Sequence, residues 1–335
     1  MKSIFLNDSN QIARVYPPET VALLQKEAGL DPQVITKAQL LANPALGADA
    51  EFVFSTWGMP AFTEDEIRAY LPRLRAVFYA AGSVQAFARP FLNCGAAVFS
   101  AWAANGVPVA EYTAAQIILA NTGYFQAAAK CSTALEHRAE AGRHFSLFTG
   151  NYDCKVGLIG AGMIGSMVAE RLKAYALHVM VFDPFLSDER AAVLGVEKVP
   201  LERLFAECQT ISNHLANNPQ TVGMLNYDRC FGRMQKHATF INTGRGAQVV
   251  EADLIRALKE EPDRTAVLDV TMPEPPVAES ELYTLPNVFL TPHIAGSKGN
   301  EVRRMSLYML EEFRRYIANE PTRWRVSLKM LETMA

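Results

Sequence analysis

Three polar residues each follow a short apolar run and a turn signal. Arg245 comes after Ile241-Asn242-Thr243-Gly244. Glu274 follows Leu268-Asp269-Val270-Thr271-Met272-Pro273, and His293 sits within Thr291-Pro292-His293-Ile294-Ala295-Gly296. An arginine can orient a carboxylate through two parallel hydrogen bonds and polarise a neighbouring carbonyl. A histidine can exchange a proton near neutral pH, and a carboxylate beside it raises its pKa and holds its tautomer. A cation, a proton donor and its acid are what hydride transfer to a keto acid would need.

A second group has the spacing of a phosphate cradle. The run Gly160-Ala161-Gly162-Met163-Ile164-Gly165 follows the apolar Val156-Gly157-Leu158-Ile159, and Asp183 stands eighteen residues past Gly165, at the end of the run 178–182. In G-x-G-x-x-G the first glycine makes the tight turn, the second admits a pyrophosphate, and the third lets helix and strand pack closely. The free N–H groups of the helix that follows favour the anion. An acid about 20 residues on reads the adenosine ribose. Asp183 would accept both ribose hydroxyls and repel a 2′-phosphate, and 184–186 hold no arginine, so NAD is favoured over NADP.

Elements that would position these residues can be read from pattern. Strands are expected at 155–159, 178–182, 210–214, 238–242, 266–270 and 288–290, with helices at 163–175 and 251–259. This alternation implies βαβ units and a parallel sheet covered on both faces, with ligands outside the carboxyl ends of its strands. Upstream, 52–55 and 76–80 read as strands and 64–70 as helix. An Ala-rich helix is expected over 108–138, opened by Asn105-Gly106 and by Pro108 in its first turn. An amphipathic helix is expected over 300–319.

Length and composition bound the rest. The 335 residues suggest about two domains. Half are hydrophobic, a fifth are charged and the net charge is −3, so disorder is excluded and no surface for nucleic acid is visible. The uncharged stretches 90–110 and 112–129 are broken by Asn93, Gly95, Asn105, Gly106, Pro108, Gln116 and Asn121, which favours buried core over a membrane span. Five dispersed cysteines without a Cys-x-x-Cys point to reduced thiols. The first twenty residues lack a signal peptide's apolar stretch, so a cytoplasmic location is expected. The six histidines show no metal-binding spacing, and no metal is expected.

Taken together, Pro-Val-Ala-Glu-Tyr-Thr at 108–113, the 160–165 glycines, Phe182-Asp183-Pro184, Asn242-Thr243-Gly244-Arg245-Gly246, Leu268-Asp269-Val270, Pro273-Glu274-Pro275 and Thr291-Pro292-His293-Ile294-Ala295-Gly296 resemble the D-isomer-specific 2-hydroxyacid dehydrogenase family. The resemblance covers nearly the whole chain and is dense from 109 to 297. It implies an α/β protein: a Rossmann-type doubly wound parallel sheet, 106–298, inserted into a smaller flavodoxin-like α/β substrate domain, 1–105 plus 299–335.

It implies Arg245 as the substrate-carboxylate arginine, Glu274 as the partner acid and His293 as the acid/base. On the cofactor side it implies main-chain contacts from Met163 and Ile164, Asp183 on the ribose, Thr243 to Arg245 along the nicotinamide, Asp269 receiving the carboxamide, and His293 to Gly296 closing the pocket. The family's substrate loop matches Ala81-Gly82-Ser83-Val84-Gln85-Ala86, where Val84 replaces a glycine and Ala86 an acid. Contacts from Gly82 and the amides of Ser83 and Val84 are expected there, in an altered turn.

His214, in a segment where Ala216 stands for the family's proline, is expected to be structural. Trp57, Met59 and Met272 are candidates for an apolar wall or plain core. A homodimer through the 108–130 helix region is expected. The reading is an NAD-dependent oxidoreductase moving a hydride between nicotinamide and C2 of a D-2-hydroxy or 2-keto acid. A non-catalytic NADH-sensing corepressor-like protein and a phosphite-type dehydrogenase on the same scaffold are the alternatives.

Overall fold

The computed structural model describes residues 1–131, 138, 139, 142 and 146–332. The chain divides into two compact units, Met1–Gly106 with Ser297–Ala335, and Val107–Gly296.

In the first unit, strands β1 (Ser3–Leu6), β2 (Leu30–Ile35), β3 (Phe52–Ser55), β4 (Ala76–Tyr79) and β5 (Ala97–Ser100) form a parallel sheet in the order β5-β4-β3-β1-β2. The terminal strand Arg325–Val326 pairs antiparallel with β5. The five parallel strands have the flavodoxin-like order. Period-2 patterning places Phe54, Phe78 and Phe99 side by side in register on β3, β4 and β5. Their rings stack at 5.1 and 4.8 Å, and Phe313 of helix Val302–Ile317 meets Phe78 edge-on at 5.6 Å. Truncating one such buried phenylalanine costs about 3–5 kcal/mol.

The second unit holds β6 (Tyr152–Ile159), β7 (Ala176–Phe182), β8 (Glu197–Lys198), β9 (Thr210–Asn213), β10 (Thr239–Asn242), β11 (Thr265–Leu268) and β12 (Val288–Leu290). All are parallel, in the order β12-β11-β10-β9-β6-β7-β8. The sheet is doubly wound, and the order in which successive strands are added reverses between β9 and β6. Alternate residues enter cores on opposite faces: Phe240, Ala266 and Leu268 pack with Leu204, Phe205 and Phe231, whereas Ile241 and Val267 pack with Ile117, Val168 and Leu172. Burial on both faces explains the near-continuous apolar strands. Gly157, inside β6, lets helix Leu201–Glu207 approach, since a Cβ there would overlap the Leu204 side chain.

Several elements differ from expectation. The Ala-rich helix starts earlier, at Trp102, and runs to Asn121 with Gly106 and Pro108 inside it; a second helix, Tyr124–Cys131, follows Gly123. Proline here removes one main-chain bond, while burial of Ala110, Ile117 and Ala120 supports the helix. The expected stretch 132–137 lies outside the described residues. The helix after the glycine run ends at Leu172 rather than 175, and β7 begins two residues before its expected start. Among the described residues no helix is long and apolar enough to cross a membrane.

Candidate active site

Because every strand of the second unit is parallel, the residues following β6, β7, β9, β10, β11 and β12 gather along one edge of its sheet. A crevice for ligands is expected where the strand order reverses, between β6 and β9. There Gly160 adopts φ +92°, and a Cβ on it would lie 2.9 Å from the His214 carbonyl oxygen. A Cβ on Gly165 would overlap the Gly160 carbonyl oxygen. Gly162 differs, because a Cβ there meets no atom within 4 Å. Packing therefore accounts for two of the glycines and leaves the third facing open space. Gly162 is also the N-cap of helix Met163–Leu172, which has no side-chain cap, so the first-turn N–H groups of Met163 and Ile164 face outward unpaired by any cap.

Asp183 follows β7. Its Oδ2 accepts the Ala161 N–H at 2.7 Å and its Oδ1 the Phe185 N–H at 2.8 Å. Each carboxylate oxygen keeps one acceptor site, which suits two adjacent hydroxyls. An open pocket of about 410 Å³ lies beside it. The open glycine, the uncapped helix and the half-satisfied acid fit a dinucleotide.

At the other end of the edge, His293 has φ +53° and its Nδ1 lies 2.7 Å from Glu274 Oε1. The side chains of His293 and Glu274 are 48% and 44% exposed, so Nε2 is left for solvent or ligand. The left-handed turn is held from below by Asp269, only 2% exposed. Its Oδ1 accepts the Thr291 hydroxyl at 2.6 Å and the Ile294 N–H at 2.8 Å, and its Oδ2 the Ala295 N–H at 2.9 Å. Its carbonyl accepts the His293 N–H at 3.0 Å. Asp269, expected to receive a carboxamide, thus has one acceptor site left, on Oδ2. Gly296 ends the same turn.

Arg245 follows β10 through Thr243 and Gly244. Its Nη1 donates to the Gly244 carbonyl at 2.7 Å, and among the described residues it forms no ion pair. Burial lowers its pKa from the usual value, and the charge of Glu274 opposes that shift. A half-buried guanidinium whose other donors have no acceptor among the described residues can receive an incoming anion. Thr243 is buried, with its hydroxyl 2.9 Å from that of Thr113.

The turn carrying Arg245 rests on an amide cluster that sequence reading missed. Asn213 Nδ2 donates to Asn242 Oδ1 at 3.0 Å and Gln248 Oε1 at 2.6 Å. Gln248 Nε2 donates to the Leu215 and Ala216 carbonyls, and Asn242 Nδ2 to that of Arg245. Amides ending otherwise apolar strands were the available signal. His214 lies at the end of β9: its Nε2 is 3.0 Å from Ser212 Oγ, its Nδ1 is shut off from solvent with no hydrogen-bond partner among the described residues, and burial pushes its pKa down to about 4.

Gly82, Ser83 and Val84 belong to the first unit. Val84 is fully buried in that unit's core and keeps φ out of the left-handed region, so its side chain anchors the loop inward. Ser100 Oγ donates to the Ala81 and Gly82 carbonyls, fixing the loop from the end of β5. Trp57 and Met59 pack, partly buried, against the first unit's core, while Met272 is exposed.

Residues 123–295 match the sequence profile of the family described as D-isomer specific 2-hydroxyacid dehydrogenase, NAD binding domain. A D-3-phosphoglycerate dehydrogenase of Archaeoglobus fulgidus is 35% identical over 176 residues, 52% of this chain and 33% of that protein. The match therefore spans about a third of that relative's length. Among solved structures, D-mandelate dehydrogenase of Rhodotorula graminis superposes with a TM-score of 0.80 at 18% identity, covering 97% of each chain. The NAD-complexed D-isomer specific 2-hydroxyacid dehydrogenase of Lactobacillus delbrueckii gives 0.74 at 22% identity, covering 98% of this chain and 100% of that one. At these identities the two structures speak for the fold.

Proposed function

Since the chain belongs to the D-isomer specific 2-hydroxyacid dehydrogenase family and carries its NAD-binding domain, we propose that it is an NAD-dependent oxidoreductase interconverting 2-keto acids and D-2-hydroxy acids. The observation that carries this reading is the pairing, on one sheet edge, of a half-buried Arg245 that forms no ion pair among the described residues and a half-exposed His293 held by Glu274.

Bound NADH supplies the hydride. Arg245 orients the substrate carboxylate and stabilises charge on the C2 oxygen as it becomes an alkoxide. His293 delivers a proton from Nε2 to that oxygen in reduction and removes it in oxidation, while Glu274 fixes the ring through Nδ1. Gly162, Met163 and Ile164 receive the pyrophosphate, and Asp183 the ribose hydroxyls. Thr243, Gly244, the remaining acceptor site of Asp269 and the turn through Gly296 line the nicotinamide side.

In this reading Val107–Gly296 is the cofactor domain and the first unit the substrate domain, with the main-chain N–H groups of Ser83 and Val84, beside Gly82, contributing to carboxylate binding. A homodimer through the 108–130 region is part of the proposal, supported by exposed Leu119 and Tyr124. So is a cytoplasmic location, supported by five free cysteines.

Nicotinamide absorbance with purified protein, NADH and a panel of 2-keto acids (glyoxylate, hydroxypyruvate, pyruvate, phenylpyruvate, oxaloacetate) tests it. Turnover with at least one is expected. NADH binding without turnover across the panel would favour the sensor alternative instead.

A further inference from the structure

The 410 Å³ pocket at the ends of β7 and β8 is lined by Asp183, Pro184, Asp188, Lys198, Val199 and Pro200. None of the roles above uses Lys198. Its Nζ donates to the Leu186 carbonyl at 2.6 Å, and among the described residues it forms no ion pair with either pocket aspartate. An ammonium has three donors, so two remain for whatever enters.

A phosphate on the ribose 2′-oxygen would bring about −1.5 to −2 charges beside Asp183 and remove one of the hydroxyl donors that its free acceptor sites receive. With the acid alone in the pocket, such a ligand would be excluded. An unpaired cation in the same pocket opposes that exclusion, because it can form a charge-assisted bond to the phosphate and to nothing comparable on an unphosphorylated ribose.

We propose that Lys198 is a cofactor-specificity residue whose ammonium sets how strongly this pocket discriminates against a 2′-phosphorylated dinucleotide, so that NADPH is a weaker second ligand rather than an excluded one. This rests on the dinucleotide reading of the Asp183 end. The alternative is that Lys198 only ties β8 to the segment after Asp183 through Leu186, in which case both dinucleotides depend on it alike.

Titration of the full chain with NADH and NADPH, followed by nicotinamide fluorescence and calorimetry, separates these readings without requiring turnover. Wild type should bind both, NADH more tightly. K198M should weaken NADPH by about tenfold and NADH by less than about twofold, the size expected for one charge-assisted hydrogen bond. K198R should restore NADPH binding while keeping the same melting temperature. Equal loss of both ligands in K198M, no loss of either, or a wild type that binds NADH but no NADPH overturns the proposal and leaves the dinucleotide reading intact. A wild type that binds neither overturns the dinucleotide reading, and the role of Lys198 with it.

Discussion

At the carboxyl end of β7, Asp183 holds one N–H on each oxygen and keeps an acceptor site on each. At the end of β11, Asp269 is buried under a left-handed turn and accepts three donors from it. Both acids terminate parallel strands of one sheet, and both match family motifs. The first leaves half of its acceptor capacity open; the second spends most of its own on the protein's own loop. Position at a strand end therefore places both residues on the same edge. The acceptor sites left open, two on Asp183 and one on Asp269, set how much of each the proposed function can give to a ligand.

The comparison can be broken at several points. His293→Gln should lower turnover by about 10³-fold with NADH binding retained, since an acid/base group contributes about 10²–10⁴; intact turnover sinks its role.

At the β9 end, His214 is buried and neutral with a pKa of about 4. Its folded-state pKa lies below the unfolded value, so the unfolded chain binds the extra proton. The group costs nothing above about pH 6.5, and stability falls as pH drops from there toward 4, by up to about 3 kcal/mol. Urea unfolding at pH 6.5 and 4.5 should show a shallower acid loss in His214→Leu than in wild type; parallel losses would place the proton elsewhere.

Asp269→Ala removes the carboxylate acceptor of two N–H groups and a hydroxyl. It should cost about 1–3 kcal/mol of stability and, by letting the His293 turn drift, about 10²-fold in turnover. Equal damage to NADH affinity would show that its last acceptor site holds ligand. Asp183→Ala should leave the melting temperature within a few degrees and weaken NADH about tenfold while NADPH gains. An unchanged ratio of the two affinities would falsify its ribose role.

Legibility followed the range of the interaction. Central strands buried on both faces announce themselves as apolar runs, so β9 to β11 were readable within a residue or two. The edge strand β8 is two polar residues, Glu197 and Lys198, supported only by its neighbour β7, and was not. The helix at 102–121 was misplaced because Gly106 and Pro108 are strong local breakers, outweighed by burial that no local window contains. Asn213 and Gln248, thirty-five residues apart, meet only once β9 and β10 are paired. Val84 was seen as a departure, but its inward anchoring depends on a core assembled from both ends of the chain.

That assembly bears on how the chain comes off the ribosome. The phenylalanine ladder of β3, β4 and β5 is closed by Phe313, and the strand beside β5 is Arg325–Val326. The first unit to emerge is thus the last that can finish: its hydrophobic sheet face waits through synthesis of all of Val107–Gly296, which is contiguous and can form its own sheet meanwhile. A nascent chain halted before the final helix should expose that face to chaperones or proteases, even with its central unit already folded.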